Sequence, residues 1–224
     1  GMNLSYSSST LTSVTFHSNT AVVSGGGLQA RYSNIQITRS DFLFNSVNND
    51  AGDSYGGGLG YFNNDNTDTN SFQISIRNSK FSYNSVTATQ SDSDVMAGGL
   101  SIGQFNDNSL IHLDIISCIF EHNSAESYGG IRIMGENIDF VLDSIQVMYN
   151  EALYYASAGG VDGCSGFVRS SIFSNNIITE NDVTNASALG VLDGANVDFI
   201  NSTFANNITF NGGALSILAE GTSS

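Results

Sequence analysis

Residues 26–45 read GGLQARYSNIQITRSDFLFN, and the rest of the 224-residue chain repeats this phrase with variations. Its tail is a Phe-x-x-Asn tetrad, Phe42/Asn45. The same tetrad stands at Phe16/Asn19, Phe81/Asn84, Phe120/Asn123, Phe173/Asn176 and Phe204/Asn207, and Val147 replaces the Phe in the copy that ends on Asn150. Its head is Gly-Gly followed by an aliphatic or small residue. Heads occur at Gly26-Gly27-Leu28, Gly57-Gly58-Leu59, Gly98-Gly99-Leu100, Gly129-Gly130-Ile131, Gly159-Gly160-Val161 and Gly212-Gly213-Ala214, with Leu189-Gly190-Val191 as a worn copy. Heads and tails alternate strictly, which chance would not produce over seven of each. A Ser lies two or three positions before most tails: Ser13, Ser40, Ser79, Ser117, Ser144, Ser171 and Ser202.

Between head and tail the residues alternate apolar and polar, as in Ile35-Gln36-Ile37, Phe72-Gln73-Ile74-Ser75-Ile76 and Ile111-His112-Leu113-Asp114-Ile115. That period marks strands with one buried face. No stripe of helical period is present. Successive tails are 26, 39, 39, 27, 26 and 31 residues apart. The shortest spacing suits three short strands with three turns, and the longer ones add polar loops between Gly60 and Asn70 and between Val86 and Ala97.

A short strand that turns and strands again cannot bury its apolar face alone. Stacked on the next unit, each strand finds a parallel partner about 4.8 Å away, and equivalent residues stand above one another. The expected fold is therefore all-β: a single right-handed parallel β-helix over residues 1–224, a solenoid of about seven coils and roughly 30–35 Å of rise. The hand follows from the crossover rule for parallel strands. In this reading the Phe side chains form an inward stack and the Asn amides a hydrogen-bonded ladder at a left-handed bend. Gly-Gly supplies a turn where a Cβ would clash or φ must be positive. Gly1 aligns with Gly27, so Met2, Leu4 and Tyr6 match Leu28, Ala30 and Tyr32. Both ends open on such coils without a cap, from which further coils or end-to-end stacking are expected.

Composition agrees. Apolar residues make up 40% of the chain, enough for a core, and there is no Pro, which could not donate to a strand ladder. Six basic residues against a net charge of −15 leave no basic face for nucleic acid or an anionic membrane. No apolar run reaches the ~18 residues that span a bilayer. Two Cys are too few for a disulfide framework; Cys118 shares the inward face of Phe120, and Cys164 stands elsewhere on the coil.

Phe-x-x-Asn alternating with Gly-Gly-Ala/Leu/Ile/Val resembles the repeat of chlamydial polymorphic outer-membrane proteins and of related microbial surface proteins with pectin-lyase-like folds. The resemblance covers the whole chain. It implies a cell-surface or secreted protein whose rod acts in adhesion. No translocator barrel lies in this chain.

Folds of this kind also host polysaccharide lyases and hydrolases. Asn66-Thr67-Asp68 is similar to one element of the polygalacturonases, but their Asp-Asp pair, Gly-His-Gly and Arg-x-Lys are missing. No Asp or Glu recurs as the carboxylate pair of glycoside hydrolysis. Asp65, Asp68, Asp92 and Asp94 offer hard oxygens for Ca²⁺, although their loops match neither an EF-hand nor a nonapeptide calcium repeat and read first as solvated polar loops. Sequons at Asn3, Asn185, Asn201 and Asn207 make loop-like Asn3, outward Asn185 and Asn201 the glycan candidates, Asn207 being committed to the ladder. The only aromatic hints of a glycan groove are Tyr61, Phe62 and Tyr154-Tyr155, and these read as loop packing.

The resulting expectation is a structural and adhesive extracellular module without catalysis or cofactor. Its partners are neighbouring coils of the same or another chain, and a surface protein or glycan. A filament protomer and a carbohydrate-binding or carbohydrate-active protein are the alternatives.

Overall fold

A computed structural model describes residues 1–49, 52–65, 67–88, 95–105, 108–180, 188–209 and 213–218. Every regular element among them is a β-strand, and every strand pairing is parallel. Four long sheets share the strands. Sheet A has eight, from Met2–Ser5 to Leu215–Ile217. Sheet B has seven, from Ser8–Thr12 to Asn196–Ile200, and sheet C seven, from Thr15–His17 to Thr203–Ala205. Sheet D has six, from Thr20–Ala21 to Ile177–Ile178. The chain visits A, B, C and D in turn and begins again, so each sheet takes one strand from each repeat. This is consistent with a parallel β-solenoid.

Four strands per repeat replace the expected three. The fourth follows the Asn directly, at Ser46–Asn49 and Ser85–Ala88 for example, and shrinks to two residues at Ser124–Ala125 and Glu151–Ala152. Two residues are too few to show alternation, so periodicity could not reveal it. Inward apolar residues of these strands, among them Val47, Val86 and Ala152, are buried.

Register follows the tails. Phe42 pairs with Phe16 and Phe81, Phe81 with Phe120, Phe120 with Val147, and Phe173 with Val147 and Phe204. The rings stack face to face at 4.8, 4.5 and 4.7 Å from Phe16 to Phe120, and at 4.9 Å between Phe173 and Phe204. Val147 is the break in the column. Insertions do not disturb it: a separation of 39 residues gives the same pairing as one of 26. The N-terminal alignment also holds, with Met2 opposite Leu28, Leu4 opposite Ala30, and Tyr6 stacked on Tyr32 at 4.9 Å.

The heads behave differently from the sequence alignment after the fourth copy. Ile131 pairs with Gly159, and Gly159 with Leu189, which pairs with Leu215. The structural equivalents of Gly129-Gly130 are thus Ser157-Ala158 and Gly213-Ala214, with Ala188 equivalent to Gly130, two residues before or one residue off the motifs read from sequence. What the site demands is two small residues, not two glycines. Sterics explain it: a Cβ on Gly57 would lie 2.5 Å from the carbonyl oxygens of both Gly98 and Ser85. The positive φ belongs to the preceding residue, Gly56 at 63°, a position held by Ala97 and Tyr128 in later repeats.

The left-handed bend is likewise displaced. It falls not on the ladder Asn but on the residue before it: Ser18, Phe44, Tyr83, His122, Tyr149, Asn175 and Asn206 all have φ between 53° and 56°. The tail Ser residues divide into two kinds. Ser13, Ser117 and Ser144 sit in left-handed turns. Ser40, Ser79, Ser171 and Ser202 instead donate to the carbonyl two residues earlier, at 3.1, 2.9, 2.7 and 3.2 Å. Cys118 occupies that second position and makes the same contact through Sγ, to Ile116 O.

Candidate functional site

Two features of the stack carry chemistry. The first is the amide ladder. Asn19, Asn45, Asn84, Asn123, Asn150 and Asn176 each donate from Nδ2 to Oδ1 of the next, at 2.9–3.0 Å, and the ladder ends on Asn207. Each Oδ1 from Asn45 onward also accepts the backbone N–H of the Asn before it. The second Nδ2 hydrogen goes back to a carbonyl of the preceding repeat, as from Asn45 to Phe16 O at 2.9 Å and from Asn123 to Phe81 O at 3.0 Å. Asn45, Asn84, Asn123, Asn150 and Asn176 are fully buried. Buried amides are costly unless every group is paired, and here the stacking of copies provides the pairing.

Outside this ladder runs an aromatic strip made by the left-handed residues. Phe44, Tyr83, His122 and Tyr149 stack at 4.9, 4.7 and 5.2 Å with planes within 7° of parallel, and His17 leans on Phe44. Phe44, Tyr83 and Tyr149 are exposed. Because each ring covers the face of the next, the strip shows ring edges to solvent.

The second feature lies on the outer face of sheet A. Connections from sheet D to sheet A pair with one another: Ser24 bridges to Tyr55, Ser54–Tyr55 pairs with Val95–Met96, and Met96 bridges to Ser127. This outboard strip carries Tyr55 and Tyr128 over the sheet. Beneath them the outward positions are small on adjacent strands. A Cβ on Gly103 would come within 2.7 Å of the Phe62 ring, and one on Gly160 within 2.2 Å of the Tyr128 ring. The glycines make a floor on which the rings lie.

Arg132 stands in this layer. Its alternation, Ile131-Arg132-Ile133, reads as an outward, solvated guanidinium, yet Arg132 is only 4% exposed. The rings of Tyr55, Phe105 and Tyr128 surround it at 5.7–5.8 Å. Its Nη2 contacts Met134 Sδ, while Nε and Nη1 have no partner. On the next strand Asp162 is 8% exposed, and its Oδ1 has no partner. Burial pushes the Asp162 carboxyl up to about 6, against the pull of Arg132 and with the help of Asp193, which faces it. Burial and the Asp162 charge push the Tyr128 phenol up as well. A cavity of about 700 Å³ opens beside Asp162, with Glu136 and Asp193 on its rim and Phe105 and Met134 as its apolar wall.

Sequence reasoning did not find this cluster, since Arg132 and Asp162 lie thirty residues apart and only the register brings them together. Outward glycines on the two strands that flank Arg132, Gly103 and Gly160, were the available signal.

The other candidates fall as follows. Asp65 Oδ1 accepts from Thr67 N and Oγ1, and these bonds lower its carboxyl; Asp68 Oδ1 accepts from Asn70 N and Nδ2. Asn66, Asp92, Asp94 and Asn185 lie outside the described residues. Among the described residues no group of three His, Cys, Asp or Glu is placed to hold a metal ion. Asn3 is not in a loop but in strand Met2–Ser5, exposed and paired with Gln29. Asn201 is exposed at a left-handed turn, φ 49°. Tyr61 is not a groove residue: it points into the core, where its hydroxyl donates to Ser33 O and accepts from Ser33 N, each at 3.1 Å. Phe62 packs against Tyr55 and Phe105, and Tyr154 and Tyr155 are exposed. Cys118 and Cys164 are both free and buried, with thiols pushed up to about 11 and 12 by burial. No helix among the described residues is long and apolar enough to cross a membrane. Comparison of the chain with protein-family models, curated proteins and solved structures gives no match.

Proposed function

We propose that this chain is a structural and adhesive segment of an extracellular or cell-surface protein: a right-handed parallel β-helix of about seven coils that presents its sides to partners. The hand rests on the crossover rule for parallel strands joined by connections that do not thread one another. The observation that carries the reading is the amide ladder from Asn19 to Asn207, which runs through every repeat without a missing rung. A ladder of that length specifies a rod with fixed register, and repeats that differ in loop length give each coil its own surface. The surface setting is supported by the Phe-x-x-Asn and Gly-Gly motifs, whose resemblance to surface-protein repeats rests on sequence alone.

The test is to couple the purified chain to beads and to challenge arrays of glycans and extracellular-matrix proteins. Saturable retention on at least one class of target is expected. Retention on none of them removes the adhesive half of the proposal. A circular-dichroism spectrum dominated by helix rather than strand removes the structural half.

A further inference from the structure

The geometry points to the cavity beside Asp162, on the outer face of sheet A, as a binding site for a neutral saccharide unit. The inference rests on the adhesive reading above and gives it a contact point.

The argument begins with what is unsatisfied. Asp162 is more than nine-tenths buried, lines the cavity, and keeps Oδ1 without a hydrogen-bond donor. Arg132, one strand away on the same face, keeps Nε and Nη1 without an acceptor. Tyr128 and Asp193 hydrogen-bond Asp162 and Met134 takes one Arg132 N–H, but a buried ionic group with the rest of its hydrogen bonding unmet is destabilised. Arg132 does not line the cavity, so the partner missing inside it is a donor for the Asp162 carboxylate. A hydroxyl or an ammonium supplies one, and a carboxylate does not.

Charge narrows the choice further. Asp162, Asp193 and Glu136 around one opening repel an anion, which disfavours an acidic sugar or a phosphate. The Arg132 charge already acts on Asp162 from one strand away and weakens the pull of this carboxylate on a second cation. The volume of about 700 Å³ falls within the roughly 300–1,000 Å³ of small-molecule sites. Phe105 and Met134 provide an apolar wall for the C–H face of a sugar ring. The raised Asp162 carboxyl keeps a share of its proton near neutrality and can then donate to a ligand hydroxyl as well as accept from it.

The test is titration calorimetry of the full chain with neutral tetrasaccharides of glucose, xylose, mannose and N-acetylglucosamine, with spermine and tetragalacturonate as charged comparators. At least one neutral tetrasaccharide is expected to bind. Asp162→Asn and Glu136→Trp, the second at an exposed rim residue that leaves the core intact, should each weaken it by about tenfold or more. Tyr83→Ala, on the aromatic strip, should leave it unchanged. Binding of spermine alone, of tetragalacturonate alone, or of no probe overturns the inference, as does neutral binding that both pocket variants leave intact. Array retention that survives both variants sinks the pocket and spares the adhesive reading; absence of all array retention sinks that reading itself.

Discussion

Replacing Asn123 by Ala removes four hydrogen bonds from the middle of the ladder. Asn123 Oδ1 accepts from Asn84 N at 3.0 Å and Asn84 Nδ2 at 2.9 Å, and Asn123 Nδ2 donates to Phe81 O and Asn150 Oδ1 at 3.0 Å each. The acceptors suffer little, because Asn150 Oδ1 still receives the Asn123 backbone N–H. The donors do suffer: the Asn84 backbone N–H and one Nδ2 hydrogen lose their acceptor at a fully buried site. An orphaned buried donor costs about 1–3 kcal/mol, so two of them plus the small void imply about 3–6 kcal/mol. Asn19→Ala is the matched control. It cuts the bond to Asn45 Oδ1 and one from the Gly1 ammonium, which is exposed, and it orphans no buried donor. Its expected cost is below about 1 kcal/mol. Denaturant unfolding combined with hydrogen exchange at the corner between sheets C and D reads both, since stacked repeats need not unfold in one step. Equal costs for the two variants would refute the claim that the ladder stabilises by satisfying buried donors in series.

Three further outcomes are expected. The stability difference between wild type and Asp162→Asn should move in the variant's favour as pH rises from 4 to 8, by up to about 3 kcal/mol; the folded carboxyl is raised from 3.8 to about 6, so its contribution is full below the lower value and lost through the upper. A flat difference across chemical denaturation curves at those pH values rejects the buried placement of Asp162. Gly57→Ala should destabilise by roughly 3 kcal/mol or more, because both clashing atoms are backbone carbonyls that cannot rotate away; an unchanged unfolding midpoint would be incompatible with that packing. Cys118 and Cys164 should resist a thiol reagent in the native protein and react on unfolding, and prompt native labelling of either would contradict its core position.

Much of the stack was legible because its determinants are local and repeated. Phe, Asn and the alternating aliphatics sit at fixed offsets, so the register of sheets B and C follows from the text of the sequence. The heads were less legible. Small residues of any kind satisfy the constraint, and Ser157-Ala158 carries no glycine to mark it, whereas Gly159-Gly160 two residues later attracts the eye to the wrong offset. The left-handed bends were misplaced for a related reason. Asn is the residue expected to tolerate positive φ, but here stacking neighbours hold Phe44, Tyr83 and Tyr149 there, and the amide is reserved for the ladder. The outer face of sheet A was not legible at all. Alternation assigns Arg132 and Asp162 to the outside, and only the outboard strip from Ser54–Tyr55 to Ser127 turns that outside into an interior. An inserted loop carries no period of its own, so nothing in the repeat announces what it covers.

The central claim is that successive repeats pile up at one strand spacing whatever their length. Spin labels at Thr15 paired in turn with Gln146, Ile172 and Thr203 test it directly, in a chain whose two Cys are replaced. All four positions are partners along sheet C, four, five and six strands apart. Backbone separations of about 19, 24 and 29 Å are expected, rising by one strand spacing per repeat. Distances that do not rise in equal steps, or that rise with the number of intervening residues instead of the number of strands, would contradict the stacked architecture.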